Sequence, residues 1–470
     1  MSANEGKETW RDDAVLLDRD AVQDGLITES HEPKSKESYH HSHHHHSEHS
    51  HHHHHSRRHH RHSGSRKKNG KRENTLKQFL RRNKKYLLYT ALALIFFICA
   101  VFAGIYLDRM MGTAEGQAPS DGYQSTDGNL LISVPTFDGE VSLSTSAVQA
   151  YFSKGPGVTV NNIYERYQGG TRRLDVGAPV TLSYKIKGAP IGYTVEGAVF
   201  YLSEDPHFSN PIEKWVDATE TKADFYNLKT GTQYDYRIDI HFTNGKKSSV
   251  GGQFFTAAGP RLMTVDGVYN MRDIGGWTTA DGRVVRQGLL YRGCELDGAV
   301  ENKYTITKEG MDTLLKELGI KTDMDLRLDS ENPHSLDVLG GNVEHIHYGA
   351  PMYRNVFNAT YYETMRKIFS DLANRDQYPA YLHCTYGRDS TGTVCYLLGA
   401  LLGVSQENLV QDYELSALCH GSVADEDFTV FMQRVNELPG ATLSEKVEGY
   451  LLSIGVTPQE IANIREIFLD

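Results

Sequence analysis

The sequence predicts a multidomain protein with a single transmembrane helix, a β-sandwich and a C-terminal α/β domain. Three observations lead to this prediction: an uncharged apolar run, a stretch in which apolar and polar residues alternate, and a strand–loop–helix pattern around Cys384. At 470 residues the chain is long enough for two or three domains. The predicted segments are a tail at 1–85, the membrane helix at 86–107, a linker at 108–159, the sandwich at 160–258 and the α/β domain at 259–470.

The N-terminal tail is polar and of low complexity. Fifteen histidines lie between His40 and His62, interrupted by Ser, Arg and Glu. One interpretation is a disordered tail with too few apolar residues to form a core. The other is weak binding of Zn²⁺ or Ni²⁺ by the clustered imidazoles. The composition favours the disordered tail.

The apolar run extends from Tyr86 to Leu107 and contains no charged residue. As a helix it would be about 33 Å long, enough for a bilayer core of about 30 Å. The 85 residues before it and its length argue against a cleaved signal peptide. The run therefore predicts a membrane anchor that crosses the bilayer once.

Charge on the two sides of this run predicts its orientation. The net charge of −11 divides into +6 for residues 1–85 and −17 for residues 86–470. Basic residues directly precede the run, in the segment 81–85. The positive-inside rule therefore places the N-terminus in the cytoplasm and residues 108–470 outside the cell membrane. The acidic remainder argues against nonspecific binding to nucleic acid.

Alternation with a period of two predicts strands within 160–258. Between Tyr234 and Ile240 every second residue is apolar or aromatic, and Asn244-Gly245 supplies a hairpin turn. Leu228, followed by a Gly-Thr turn and a strand that begins with tyrosine, resembles the corresponding part of a fibronectin type III domain. That resemblance implies a spacer or an adhesion surface, and we see no catalytic group in this module.

The five cysteines show neither a zinc-ligand spacing nor a disulfide framework. None of them forms a CxxC pair, and a chain of this length does not need disulfide bonds to be stable. Cys99 lies in the apolar run, where it is most simply a small apolar residue.

The segment around Cys384 combines an apolar strand, a glycine-containing loop and an apolar helix. Residues 381–392 read YLHCTYGRDSTG and are followed by TVCYLLGALLGV. Backbone N–H groups of such a loop and helix N-terminus point to one place and form an anion site. The same N–H groups and helix N-terminus stabilise a thiolate at this position, so we expect the pKa of Cys384 to be lowered. The alternative is an incidental cysteine in a turn, which the His-Cys pair, the two glycines and Thr391 argue against.

This segment resembles the HCxxGxxR[ST]G loop of the protein tyrosine phosphatase superfamily. It is more similar to the HCTAGKDRTG loop of the bacterial tyrosine/serine and phosphoinositide phosphatase family. Other elements of that family follow in the same order: NMRDIGG at 270–276, LYR at 290–292, DLR at 325–327 with Glu331, and DYELS at 412–416. The resemblance implies an α/β domain in which helices flank a parallel sheet.

The resemblance also implies roles for the loop residues. Cys384 would attack phosphorus and form a phosphocysteine. Asp389 would be the general acid and then the general base, or would only bind the loop backbone. Thr391 would donate a hydrogen bond to the departing thiolate, or would cap the helix. His383 would orient the loop. The phosphate would contact Thr385, Tyr386, Gly387, Arg388, Ser390 and Gly392, above a supporting ion-pair scaffold of Arg272, Asp273, Arg292, Asp325 and Arg327, with no metal and no cofactor.

One position departs from the family pattern. The family has an arginine six positions after the cysteine, where this chain has Ser390. A hydroxyl cannot replace a planar, permanently charged donor, and removal of a preorganised transition-state donor costs about 10²–10³-fold in rate. Arg388 takes the place of the family's lysine and could restore part of the charge.

The leading prediction is a membrane-anchored, outward-facing phosphatase. Its substrate would be a phosphorylated protein, a lipid head group or an inositol phosphate. The alternative is a pseudophosphatase that binds a phosphorylated or anionic ligand without turnover. Ser390 favours the second interpretation, whereas Cys384 and Asp389 favour the first. A third interpretation, adhesion through the β-rich module, rests on fold similarity alone.

Overall fold

The computed structural model describes residues 123–127, 130–154, 173–331, 338–421 and 426–470. The predicted tail with its histidine tract and the predicted membrane helix at 86–107 lie outside these residues. Within them, no helix has both the length and the apolar character that crossing a bilayer requires.

The N-terminal part of the described chain is rich in β-strands. The strands are β1 (Tyr123–Asp127), β2 (Leu130–Ser133), β3 (Glu140–Val141), β4 (Val180–Ser183), β5 (Lys185–Lys187), β6 (Val195–Ser203), β7 (Ile212–Asp217), β8 (Lys222–Phe225), β9 (Gln233–Phe242) and β10 (Lys247–Thr256). A short helix, α1 (Ser146–Phe152), follows β3. One sheet has the strand order β3-β10-β9-β6-β7, and two smaller sheets have the orders β1-β2-β5 and β4-β8.

The three sheets share one apolar core. In β9 the alternate residues Tyr234, Tyr236, Ile238 and Ile240 are buried, as the period-two pattern predicts. They belong to the same cluster as Leu182 of β4 and the buried residues of β2. Sheets that pack face to face on a common core have the arrangement of a β-sandwich. The resemblance to a fibronectin type III domain stays a prediction.

The sandwich begins earlier in the chain than the predicted boundary at residue 160. Leu130 and Ile132 of β2 are fully buried in its core. Helix α1 also lies within the predicted linker, and its Tyr151 packs with Leu418 of the α/β domain. Segments of four and seven residues are too short to show a clear period in the sequence, which explains the difference.

The C-terminal part of the chain is an α/β domain. Its sheet has the order β11-β12-β13-β16-β14-β15, in which β13, β16, β14 and β15 are parallel and β11 and β12 are antiparallel. The strands are β11 (Arg261–Leu262), β12 (Arg272–Asp273), β13 (Leu290–Gly293), β14 (Thr322–Asp325), β15 (Glu344–His347) and β16 (Ala380–His383). The helices are α2 (Lys308–Asp312), which continues into a π-helical turn (Thr313–Glu317), α3 (Tyr362–Leu372), α4 (Ser390–Leu401), α5 (Gln406–Glu414), α6 (Ala417–His420), α7 (Glu426–Asn436), α8 (Leu443–Ser453) and α9 (Pro458–Phe468).

Helical segments cover both faces of this sheet. Leu290 of β13 and Leu382 of β16 pack in one apolar cluster with α3, α4 and α7–α9. Their neighbours Tyr291 and Tyr381 pack in a second cluster with the π-helical turn. Because successive strand residues point to opposite faces, the two clusters lie on opposite sides of the sheet. Strand β16 therefore lies in the centre of the domain, and the loop after it emerges at the carboxyl edge of the parallel strands.

Arg261, which forms a buried ion pair with Asp273, joins the α/β domain to the sandwich, and the described residues all fall in one compact unit. Arg261 of β11 donates through Nη1 to Asp273 Oδ2 at 2.8 Å and through Nε to the Leu228 carbonyl oxygen at 3.0 Å. Asp273 also accepts hydrogen bonds from the backbone N–H groups of Gly275 and Gly288. Asp273, which the sequence assigns to a scaffold under the site, thus belongs to the junction with the sandwich.

Replacement of Asp273 by Ala should destabilise the protein strongly. The substitution leaves the Arg261 guanidinium buried without its carboxylate and removes the acceptor of two backbone N–H groups. We expect a loss of about 3–5 kcal/mol in the free energy of unfolding, the usual cost of breaking a buried ion pair. Urea unfolding followed by tryptophan fluorescence measures this loss.

The matched control is Asp281→Ala. Asp281 also pairs with an arginine, Arg283, at 2.7 Å, but both side chains are about half exposed. Exposed pairs contribute about 0–1 kcal/mol, so this variant should unfold close to the wild type. Equal losses in both variants would contradict the importance of the buried junction.

Candidate active site

The loop between β16 and α4 is held in shape by glycine. Gly387 has φ +61°, and a Cβ atom there would lie 2.3 Å from the Gly293 carbonyl oxygen. The loop therefore packs directly on the end of β13, and only glycine fits at this position. At Gly392, in the first turn of α4, a Cβ atom would lie 3.0 Å from the Tyr413 ring and 3.3 Å from Arg292 Nη2, a tight but less severe contact.

Cys384 lies at the start of this loop and is 5% exposed. Burial and the nearby Asp389 carboxylate raise its pKa. The hydroxyl and the backbone N–H of Thr391 lie close enough to the sulfur to act in the opposite direction. The Thr391 hydroxyl has no other hydrogen-bond partner among the described residues. The sequence-based expectation of a lowered pKa for Cys384 is therefore wrong for this structure, because burial outweighs these hydrogen bonds.

Asp389 shares a cavity with Cys384 and is held by two side chains. The Tyr353 hydroxyl donates to its carboxylate, and Arg388 Nε donates to Oδ1 at 2.8 Å. The Tyr353 hydroxyl also lies 2.8 Å from the Tyr413 hydroxyl. Tyr353 lies 36 residues before Asp389, and no signal in the sequence connects the two.

Arg388 and Ser390, the two loop residues expected to contact a phosphate, are both engaged with other groups of the protein. The Arg388 guanidinium is engaged with Asp389, and its side chain is 27% exposed. Arg388 does not line the cavity beside Cys384. The Ser390 hydroxyl is buried and donates to the Ala350 carbonyl oxygen at 3.1 Å. Neither side chain presents a charged donor to this cavity in the present conformation.

The cavity beside Cys384 has a volume of about 240 Å³ and an acidic lining. Glu331 and Asp389 line it, and the Thr385 hydroxyl donates to Glu331 Oε1 at 2.6 Å. None of the described residues that line it is Lys or Arg. They are Leu328, Glu331, Ala350, Pro351, Met352, Asn355, Tyr361, Cys384, Thr385, Tyr386, Asp389 and Ser390.

Two buried arginines support the loop from below. Arg292 donates to Asp412 Oδ2 at 2.6 Å and to the Gly387 carbonyl oxygen at 2.8 Å. Arg272 donates to Asp412 Oδ1 at 2.7 Å and to the Asn270 side-chain oxygen at 2.8 Å. The structure therefore brings Arg272 and Arg292 together, as a scaffold that binds the loop backbone.

A second ion-pair cluster surrounds Arg327. Its guanidinium contacts Asp325 at 2.7 Å, Glu295 at 2.9 Å and Asp297 at 2.8 Å. Asp325 and Arg327 belong to the scaffold predicted from the sequence, whereas Glu295 and Asp297 do not. No family motif marked these two carboxylates.

His383 lies directly before the nucleophile position and is 1% exposed. Its Nε2 lies 3.1 Å from Asp323 Oδ1. Burial opposes a charge on the ring, but the carboxylates of Asp325 and Asp323 outweigh it and raise the pKa of His383 to about 9. His383 is therefore a buried cation behind the loop, consistent with a role in orientation.

The most acidic thiol lies outside the loop. The neighbouring Cys294 side chain, and after it His420, lowers the pKa of the Cys419 thiol. Burial raises the pKa of Cys395 to about 11 and that of Cys294 well above its usual value. The order of acidity among the described cysteines thus differs from the expected one, in which Cys384 comes first.

Comparison with known proteins supports a phosphatase-like domain. Residues 263–470 match the model of a tyrosine phosphatase family. The chain is 26% identical over 196 residues to a tyrosine-protein phosphatase of Nostoc commune, a match that covers 32% of this chain and 67% of that protein. It is 28% identical over 170 residues to a provisionally assigned tyrosine-protein phosphatase of Cupriavidus necator, covering 32% of this chain and 61% of that protein. The chain thus spans less than two thirds of the length of the second relative.

Alkylation should report the order of thiol acidity. Because only thiolates react, iodoacetamide at about pH 7 should label Cys419 before Cys384. Cys384 should react appreciably only at higher pH. Peptide mass spectrometry after short exposures measures both rates.

The control is Cys419→Ser, which should lose the early label and leave the labelling of Cys384 unchanged. Faster labelling of Cys384 than of Cys419 in the wild type would contradict the effect of burial on the nucleophile position.

Proposed function

We propose that residues 263–470 form a cysteine-dependent phosphatase domain that hydrolyses phosphate monoesters through a phosphocysteine at Cys384. The observation that carries the proposal is the placement of Cys384 and Asp389 in the lining of one small cavity at the end of the central strand, with the Thr391 hydroxyl close to the sulfur. A nucleophile, a hydroxyl donor for the thiolate and a carboxyl group for proton transfer are the groups that this reaction needs.

The first chemical step is attack of the Cys384 thiolate on phosphorus. Asp389 protonates the leaving oxygen, and the Thr391 hydroxyl stabilises the sulfur when it later departs. In the second step Asp389 removes a proton from the water that cleaves the phosphorus–sulfur bond. Hydrogen bonds from Tyr353 and Arg388 hold Asp389 in the lining of the cavity that Cys384 also lines.

Arg388 is the cation that we assign to the phosphate. It is the basic side chain of the loop and lies next to Asp389. Binding of a phosphate dianion requires its guanidinium to leave the Asp389 carboxylate and turn into the cavity. The same movement releases the Asp389 carboxylate from its ion pair with Arg388, so that it can face the leaving oxygen.

A pseudophosphatase is the second candidate function. The specific observation in its favour is the acidic lining of the cavity, with Glu331 and Asp389 present and Ser390 in the position of the family's arginine. In this alternative the loop binds a phosphorylated or anionic ligand through Arg388 and the backbone N–H groups, without turnover.

The substrate class and the location are parts of the same proposal. The substrate is a phosphotyrosine or phosphoserine protein, a phosphoinositide or an inositol phosphate. The apolar run at 86–107 anchors the chain in the cell membrane, with the basic segment 81–85 in the cytoplasm and the phosphatase domain outside. No nucleic acid is involved, and weak metal binding by the His40–His62 tract stays a secondary proposal.

Ser390→Arg should increase phosphatase activity by about 10²-fold or more in kcat/KM, because it restores the bidentate donor that stabilises the transition state. Arg388→Ala should reduce the activity of the natural protein more than that of the Ser390→Arg variant. Phosphate release from a phosphotyrosine peptide, a phosphoinositide and an inositol phosphate measures both effects and identifies the substrate class.

Cys384→Ser is the control, because hydrolysis through a phosphocysteine must disappear in this variant. Thermal unfolding of each variant shows whether the new arginine is accommodated. Should a folded Ser390→Arg variant show no Cys384-dependent hydrolysis, the enzyme proposal would fall and the pseudophosphatase would stand.

Protease treatment of intact cells tests the proposed topology. An external protease should digest the region 150–470 and spare the histidine-rich tail, because the basic segment before the membrane run stays in the cytoplasm. Immunoblots against tags at the two ends measure the protection of each side. Protection of the C-terminal region in intact but not in permeabilised cells would reverse the orientation.

A further inference from the structure

Two cysteines and a histidine come together beneath the phosphate-binding loop. Cys294 directly follows β13, whereas Cys419 and His420 end helix α6. One ligand atom from each of the three side chains lies within 4.8 Å of the other two. Cys294 is buried, and Cys419 and His420 are partly exposed, so solutes can reach the cluster from one side.

Hydrogen bonds decide which nitrogen of His420 is available. Its Nε2 lies 2.9 Å from the Tyr386 carbonyl oxygen. A carbonyl oxygen can only accept, so Nε2 carries the proton and Nδ1 has a free lone pair in the neutral ring. The Tyr304 hydroxyl, 3.2 Å from Nδ1, is therefore the donor to that lone pair. Histidines that bind metal commonly have this arrangement, in which the other ring nitrogen donates to a backbone carbonyl.

The same carbonyl oxygen is crowded by donors. Besides His420, the Cys294 thiol lies 3.2 Å from the Tyr386 oxygen and Asn270 Nδ2 lies 3.1 Å from it. Three donors thus compete for two lone pairs. Removal of the proton from Cys294 would leave the two stronger N–H donors, so the carbonyl would stay satisfied.

We propose that Cys294, Cys419 and His420 form a binding site for a thiophilic divalent cation of the Zn²⁺ class. The two sulfurs and His420 Nδ1 are the ligands, and solvent water occupies the fourth position. Binding converts two thiols into metal thiolates and releases up to two protons to solvent. Two thiolates and one divalent cation give no net charge, which suits a largely buried site.

The dimensions of the cluster fit this assignment. Zinc bond lengths of about 2.3 Å to sulfur and about 2.0 Å to nitrogen place tetrahedral ligand atoms about 3.6–3.8 Å apart. Contraction from the present separation is therefore roughly 1 Å or less. The Tyr304 hydroxyl has to turn away from Nδ1, since the cation takes its place. Sequence spacing did not indicate this site because Cys294 is far from Cys419 in the chain.

The site touches the phosphate-binding loop through Tyr386, two residues after Cys384. When a cation binds, Cys294 loses its proton and no longer donates to the Tyr386 carbonyl oxygen. His420 and Asn270 then remain as the donors to that oxygen. The proposed metal site does not depend on the proposed catalytic function, because metal binding can be measured without turnover.

Titration of the full-length protein in detergent with Co²⁺ under reducing, oxygen-free conditions tests the site. Thiolate coordination gives a sulfur-to-cobalt charge-transfer absorption, which the histidine tract cannot produce because it has no sulfur. We expect one equivalent of Co²⁺ to produce this band and one equivalent of Zn²⁺ to remove it. Cys294→Ser and Cys419→Ser should abolish the band, and His420→Gln should weaken binding by about tenfold or more.

Two variants serve as matched controls. Cys384→Ser removes a nearby thiol outside the cluster and should keep the band. Tyr304→Phe removes the hydroxyl that competes for Nδ1 and should increase the affinity for Co²⁺. A band that survives in both cluster cysteine variants, or that disappears in Cys384→Ser alone, would overturn the assignment.

Protection from alkylation tests the site in the natural chain and does not depend on the folding of any variant. Zn²⁺ should slow the labelling of Cys294 and Cys419 by iodoacetamide about tenfold or more and leave the labelling of Cys384 unchanged. Equal rates with and without Zn²⁺ would exclude the site. A Cys294–Cys419 disulfide that forms in place of the metal complex under the reducing conditions would also exclude it.

Discussion

The shared carboxylate of Asp412 is the interaction on which the C-terminal domain depends. It lies between the buried guanidinium groups of Arg272 and Arg292, which come from neighbouring strands β12 and β13. One carboxylate cannot saturate two arginines, so each must find further acceptors. Arg272 donates to the side-chain oxygen of Asn270, and Arg292 donates to the carbonyl oxygen of Gly387. Arg292 therefore holds the loop to the sheet through an N–H group that Asp412 does not satisfy.

The arrangement of Arg272, Arg292 and Asp412 affects the charge of the neighbouring cavity. The cations under the loop are engaged with carboxylates and backbone oxygens, whereas the cavity beside Cys384 is lined by Glu331 and Asp389. With Ser390 in place of the family's arginine, positive charge has to come from Arg388, which presently binds Asp389. In the proposed mechanism, the phosphate and the Asp389 carboxylate therefore compete for the guanidinium of Arg388.

Burial controls the chemistry of the cysteines more than position on a helix does. Cys384 faces the start of α4, yet its pKa is raised because little solvent reaches it. The backbone of the same loop also extends to a different group of side chains, since the Tyr386 carbonyl oxygen accepts from Cys294, Asn270 and His420. The loop therefore lies between two groups with different surroundings. Cys384 is proposed to act on phosphate, and Cys294 and Cys419 are proposed to hold a cation.

The sequence by itself determined the features that depend on local pattern. Alternation predicted the buried face of β9, and the strand–loop–helix pattern predicted β16, the turn at Gly387 and helix α4, because both follow from neighbouring residues. The sequence alone also showed that Ser390 stands where the family pattern has an arginine. Only the tertiary structure decided that Tyr353 holds Asp389, that Arg261 binds Leu228 of the sandwich, and that Cys294 meets His420. These pairs are far apart in the chain, and packing of the sheet and helices, not local preference, brings their side chains together.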